Sequence, residues 1–182
     1  MKTSADSPIE VHFVAGSAHG LPGRLGLTLA PGKCDGEKWK RDLAEDVRRL
    51  REDYGTDVIV SLLETMELKR LSIGAMPQAV RDAGMDMLRL PIPDGDVPAS
   101  VEECQPVVRR MITELADGRT VVVHCRGGLG RSGLVAACVL TSLGHDAEAA
   151  IAIVRDARPG AVENEKQERF VARFADAEKA PG

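Results

Sequence analysis

The sequence predicts an α/β fold: one domain with a largely parallel central sheet flanked by helices. Three observations point there. Two short apolar runs, DVIVSLL at 57–63 and TVVVH at 120–124, have the β-branched content and length of strands buried on both faces. Between and after them, apolar residues recur at steps of three and four, the spacing of one helix face. Strand-like and helix-like stretches alternate, which is the pattern of parallel strands joined by crossover helices. A chain of 182 residues holds one core of useful size and not two.

Taken in order, residues 1–8 are polar and read as a loose N-terminal segment, with the folded domain over 9–178 and a short tail at 179–182. Residues 9–14 alternate and form an early strand. Residues 24–30 form another, closed by the Pro31-Gly32 turn signal. Trp39, Leu43, Val47 and Leu50 describe a helix face. Residues 57–63 are the next strand, 77–83 a short helix closed by Gly84, and 85–92 a strand stopped by Pro91 and Pro93. Val101, Cys104, Val108, Met111, Ile112 and Leu115 mark a long amphipathic helix ending near Gly118. After the strand at 120–124, residues 131–143 resume helical character up to Gly144. Two further helices, 146–156 and 163–177, are separated by Arg158-Pro159-Gly160.

A net charge of −4 supplies no broad basic face, which argues against nucleic acid as a partner but leaves room for a local basic pocket. No apolar run approaches the ~20 residues of a membrane span. The first ten residues lack the apolar stretch of a secretory signal. Cys34, Cys104, Cys125 and Cys138 match neither a CxxC metal clip nor a compact disulfide framework, so a reducing cytoplasmic location is expected. Cys104 and Cys138 lie on helices among apolar neighbours and read as core.

The informative segment is VVVHCRGGLGRSG at 121–133. A strand delivers His124 and Cys125 to the sheet edge where ligand sites of open α/β sheets lie. Five residues follow, Arg126, Gly127, Gly128, Leu129 and Gly130, before Arg131 and the start of a helix. Glycines let successive backbone N–H groups converge on one centre. The helix N-terminus adds its unpaired N–H groups and the positive end of its dipole. Arg131 supplies a planar fork for two oxygens of a tetrahedral anion. The field that would bind phosphate also favours thiolate at Cys125, placed for in-line attack on phosphorus. The Walker pattern is absent, and Gly128-Leu129-Gly130 fits the dinucleotide fingerprint poorly.

His124-Cys125-x5-Arg131-Ser132 matches the HCx5R(S/T) signature of the protein tyrosine phosphatase superfamily. The longer segment HCRGGLGRSGLVAACVL resembles its dual-specificity branch, most of all the cyclin-dependent kinase-associated phosphatases, as do GRLGLTLAPG, PIPDGDVP and RPGAVENEKQ. The resemblance covers most of the chain. It implies a single-domain cysteine phosphatase fold, no metal or other cofactor, and hydrolysis of phosphate monoesters through phosphocysteine. The substrate would be a phosphorylated protein or a small phosphate ester; nothing in these residues sets an oligomeric state.

By the resemblance, Cys125 is the nucleophile, Arg131 the phosphate clamp, and the backbone of 126–130 the phosphate cradle. Ser132 either bonds the Cys125 sulfur or caps the helix. His124 orients the loop and helps favour the Cys125 thiolate, or is a satisfied core histidine, or both. Asp94 matches the position of the proton donor, with Asp96 as its chemical rival in the same Pro/Gly loop. Gln167 either helps position the hydrolytic water or is a solvated helix residue. Arg126 either favours anionic substrates or only covers surface. Three rival activities remain beside the protein phosphatase: a phosphoinositide phosphatase, a silent phosphate-binding module, and a cysteine-based arsenate reductase or sulfur transferase.

Overall fold

The computed structural model describes residues 1–179. In chain order these form β1 (His12–Phe13), α1 (Gly16–His19), β2 (Arg24–Thr28), α2 (Leu43–Glu52), β3 (Val58–Ser61), α3 (Thr65–Arg70) and α4 (Met76–Asp82). There follow β4 (Asp86–Arg89), α5 (Val101–Ala116), β5 (Thr120–His124), α6 (Gly130–Ser142), α7 (Ala147–Ala157) and α8 (Glu165–Lys179). The sheet order is β1-β2-β5-β3-β4, with β1 antiparallel to β2 and the other neighbours parallel.

The strand side chains alternate between two cores, as the pleat requires. Val58, Val60, Val121 and Val123 face a layer built by α5 to α8. Ile59 and Val122 face the opposite layer, with Val47 and Leu50 of α2, Leu68 of α3, and Met76 and Val80 of α4. Every residue of β5 is buried, which is why its sequence is a continuous β-branched run. Helix α6 is buried almost all round and carries small residues where it meets its neighbours. A Cβ at Gly133 would lie 2.6 Å from the Val162 backbone nitrogen and 2.8 Å from Ala161 Cβ, so only glycine fits that approach.

Because β2, β5, β3 and β4 run parallel, their C-terminal ends share one edge. His124 at the end of β5 is in register with Thr28 on one side and Ser61 on the other. The segments after these four strands therefore converge, bringing Lys33, Cys125, Glu67 and Asp94 to one end of the sheet.

Three expectations are corrected. Helix α2 begins at Leu43, not at Trp39: Asp42 caps it, its side chain accepting from Glu45 N. Trp39 instead packs under cations, with the Lys33 ammonium 4.3 Å from its ring centre. Helices α1 and α3, of four and six residues, are additional elements too short to show a period. Residues 1–8, read as loose, are docked. Lys2 N donates to Lys38 O at 2.8 Å, Lys40 N donates to Lys2 O at 2.9 Å, and buried Ser4 accepts from Asp42 N. The expected tail at 179–182 lies outside the described residues beyond Lys179.

One buried ion pair fixes this corner. Arg41 Nε and Nη2 donate to the two oxygens of Asp46 at 2.7 and 2.8 Å, and both side chains are fully buried. Arg41 Nη1 also donates to Ser7 O, and Gly32 N donates to Asp46 Oδ2. Removing one partner of such a pair leaves an uncompensated buried charge, at a cost of ~3–5 kcal/mol. Asp46→Ala should therefore lower Tm by about 10 °C, read by thermal unfolding. A fall of only a degree or two would mean that the pair contributes little.

Candidate active site

Cys125 follows β5 directly and is 4% exposed. The loop behind it turns its carbonyls away from the sulfur. Cys125 O lies 3.3 Å from His124 Nδ1. Arg126 O accepts from Lys33 Nζ at 3.1 Å and from Ala30 N. Gly128 O accepts from Arg158 Nε at 3.4 Å, and Leu129 O from the backbone of Gly133 and Val162. In a trans peptide the following N–H points opposite to its carbonyl, and no peptide here is cis. The outward carbonyls thus aim the N–H groups of 126, 127, 129 and 130 to the other side, and Gly128 N donates to Cys125 Sγ at 3.3 Å. Gly128 has φ +71°, and a Cβ there would meet the Thr28 carbonyl at 2.5 Å. The N-terminus of α6, a helix of 13 residues, opens onto the same space.

Arg131 is 1% exposed and joins two loops. Its Nη1 donates to Glu67 Oε2 at 2.7 Å and to Ile92 O at 2.8 Å. Its Nη2 donates to Glu67 Oε1 at 2.9 Å and to Asp94 Oδ1 at 2.8 Å. Burial pushes the Glu67 carboxyl up, but hydrogen bonds from Arg131 outweigh it and hold the group below its usual range. Burial likewise works against the charge on Arg131, and the bonds to Glu67 outweigh it.

Asp94 and Asp96 differ in what holds them. Asp94 is 57% exposed at its side chain; one oxygen meets Arg131 and the other lies 3.9 Å from Arg126 Nη1. Asp96 accepts from Val97 N at 2.7 Å and pairs with Lys166 Nζ at 2.5 Å. The Lys166 bond is the main cause of its lowered carboxyl pKa. Asp96 is thus tied down within its own loop and to α8, whereas Asp94 contacts Arg131 and lies near Arg126 of the Cys125 loop.

Residues at and just before the start of α8 hold this loop. Asn164 Nδ2 donates to Gly95 O at 3.0 Å, and Gln167 Nε2 donates to Asp96 O at 3.3 Å. Gln167 is fully buried, and its Oε1 accepts from Glu163 N. It is not a solvated helix glutamine: Nε2 ties the loop to α8, and Oε1 is taken by the backbone just before α8. Ser132 is the third residue of α6, whose N-cap is Leu129, so it does not cap the helix. Its Oγ is fully buried without a hydrogen-bond partner among the described residues, and so is His124 Nε2. Burial, reinforced by nearby Arg131, pushes the His124 pKa down to about 4. The ring meets Cys125 O through Nδ1, and being neutral near pH 7 it lends no full positive charge, against the expectation that it favours the thiolate.

Arg126 lines a cleft of about 440 Å³ with Glu64, Glu67, Arg70 and Asp94. Glu67 and Asn164 were not singled out in the sequence. Glu67 carries a signal all the same: with Glu64 it forms a reciprocal capping box at the start of α3. Cys104 and Cys138 are buried in the core as expected, and burial raises the Cys138 thiol pKa well above its usual value. Among the described residues no cluster of His, Cys, Asp and Glu is assembled that could hold a metal ion, and no helix is long and apolar enough to cross a membrane.

The chain matches the family model for cyclin-dependent kinase inhibitor 3 over residues 3–153. It is 31% identical over 173 residues to cyclin-dependent kinase inhibitor 3 of Rattus norvegicus, an alignment covering 93% of this chain and 80% of that protein. The Homo sapiens protein gives the same identity and coverage. Among solved structures, a kinase-associated phosphatase with serine in place of its catalytic-site cysteine superposes with a TM-score of 0.88 at 29% identity. That match covers 96% of this chain and 98% of that one. The active form of Tk-PTP gives a TM-score of 0.73 at 28% identity, covering 91% and 96% of the two chains.

Proposed function

The chain belongs to the cyclin-dependent kinase inhibitor 3 family and is a cysteine-dependent dual-specificity-type phosphatase; on that premise we propose the residues that do its chemistry and the substrates it takes. The Cys125 thiolate attacks phosphorus, forming the S–P bond as the ester P–O bond breaks. Asp94 gives its proton to the departing oxygen. Water then attacks the phosphocysteine, Asp94 takes the water's proton, and the S–P bond breaks to return thiolate and inorganic phosphate. The backbone N–H groups of 126–130 and the Arg131 fork hold the phosphoryl oxygens through both steps. Ser132, whose buried hydroxyl has no hydrogen-bond partner among the described residues, the Cys125 sulfur included, is free to turn to the sulfur as it leaves.

The observation that carries this assignment is the set of outward carbonyls around the Cys125 thiol, which leaves a cup of donors with a sulfur at its base. Gln167 and Asn164 act by position, holding the loop that bears Asp94. The substrate is a phosphoprotein. The relatives' names tie them to cyclin-dependent kinases, so a phosphorylated kinase is the first candidate to try. Four free cysteines support a reducing, cytoplasmic setting.

The test is a kinetic panel of phosphothreonine peptide, phosphotyrosine peptide and phosphoinositide, run with a chelator present. Phosphopeptide turnover with kcat/KM at least about tenfold above that of the lipid is expected; one decade is 1.4 kcal/mol of transition-state discrimination. Preference for the lipid, or turnover abolished by the chelator, would overturn the reading.

A further inference from the structure

A second cavity, of about 530 Å³, adjoins the phosphate loop, and Gly127 and Leu129 of the loop form part of its wall. Its charged lining is one-sided. Lys2, Lys33, Lys38 and Arg158 supply four cationic side chains, against the single carboxylate of Glu10. Glu10 is turned to solvent, 76% exposed at its side chain and 3.9 Å from His12 Nε2. None of the four cations enters a salt bridge among the described residues, whereas Arg48, Arg51, Arg155 and Lys166 do.

The two inner cations are held in place. Lys33 is 6% exposed, donates to Arg126 O and stacks on Trp39. Arg158 donates to Gly128 O and to His12 Nε2, which lies 2.9 Å from its Nη1. Lys2 and Lys38 stand exposed at the rim, kept together by the Lys2 N to Lys38 O hydrogen bond. Burial, with Arg126 close by, draws the Lys33 pKa down to about 8. Asp35, outside the cavity lining, offsets part of this, and an incoming anion on the cavity side would relieve more of it.

We propose that this cavity receives an acidic side chain of the phosphoprotein substrate, two or three residues along the chain from the phosphorylated one. The inference rests on the phosphoprotein reading above. The spacing follows from the loop: the cavity begins at Gly127 and Leu129, two and four residues along the loop from Cys125, and three residues of extended chain reach at most ~10 Å.

The test uses phosphothreonine peptides of one sequence, paired to carry Asp or Asn at the second and third positions on either side. On one side, kcat/KM for Asp over Asn should be about three- to tenfold at low salt, the scale of two or three screened ion contacts. The ratio should fall as salt is added. In the double variant Lys2→Gln/Lys38→Gln it should fall by at least half toward one, with Lys33 and Arg158 left in place. A ratio is independent of how much of the variant is folded, so loss of protein does not imitate this result. Lys38→Arg should keep the preference. A ratio near one on both sides, or one unchanged in the double variant, overturns the proposal alone. No turnover of any peptide overturns the phosphoprotein reading, and this one with it.

Discussion

Cys125→Ser should lower turnover by on the order of 10⁴-fold or more while leaving phosphopeptide binding within a few-fold of the parent. Loss of the nucleophile in a covalent mechanism acts on that scale, because no other group can form the intermediate. Binding survives because the cup is built from backbone. The carbonyls of Arg126, Gly128 and Leu129 are held outward by Lys33, Arg158, Gly133 and Val162, none of which hydrogen-bonds the sulfur among the described residues. Arg131 is held by Glu67 and Ile92 O, and these bonds do not depend on residue 125. Single-turnover assays with a phosphothreonine peptide measure the first effect and fluorescence anisotropy the second. Turnover within about tenfold of wild type in the serine variant would remove phosphocysteine from the mechanism. Loss of binding in step with turnover would show instead that the thiolate organises the cup. Arg131→Lys should differ in kind. A single ammonium cannot serve Glu67, Ile92 O and Asp94 together, so that variant should lose binding, rate and stability at once.

The strands, their parallel order and the segment from His124 to Ser132 were legible because each leaves a local pattern. A strand buried on both faces, such as β5, must be apolar at every position, and a loop that crowds Thr28 at Gly128 must use glycine. What escaped was held by polar contacts, which have no period. Trp39 fell in helical step with Leu43 and Val47, yet its ring packs on Lys33, Lys2 and Arg41, while Asp42 starts the helix. Residues 1–8 are polar and read as loose, yet backbone bonds to 38–40 and the Arg41 contact with Ser7 O dock them. Gln167 lies on a helix rich in charge and looks solvated in one dimension. The return of the PIPDGDVP loop over α8 is what buries it. Glu67 lies far from Arg131 in sequence, on a helix of six residues, and only the convergence of strand ends brings the two together.

Asp94→Asn should lower kcat for phenyl or alkyl phosphates by about 10²–10⁴-fold, the loss typical of a general acid, and affect an activated ester much less. A poor leaving group departs as a high-energy oxyanion unless a proton arrives with it, whereas a stable phenolate does not need one. The structure adds a second consequence. Without ligand, both terminal nitrogens of Arg131 are fully engaged, Nη2 with Glu67 and Asp94. To take two phosphoryl oxygens through Nη2 and Nε, the guanidinium must release Asp94. The arriving negative charge then repels a carboxylate at residue 94. Asparagine has no charge to displace, so Asp94→Asn should also bind phosphate and vanadate more tightly, by a few-fold on the scale of one exposed ion pair. A fall in kcat with a fall in inhibition constant separates this from a damaged site, where both binding and rate worsen. The descending alkaline limb of the kcat/KM profile should flatten, since it reports loss of the donor's proton. Asp96→Asn gives the contrast. Its carboxylate serves Val97 N and Lys166, so any effect should be alike for good and poor leaving groups. A large, leaving-group-dependent loss in Asp96→Asn with a near-normal Asp94→Asn would move the acid two residues along the loop. A loss in neither would take the donor out of PIPDGDVP altogether.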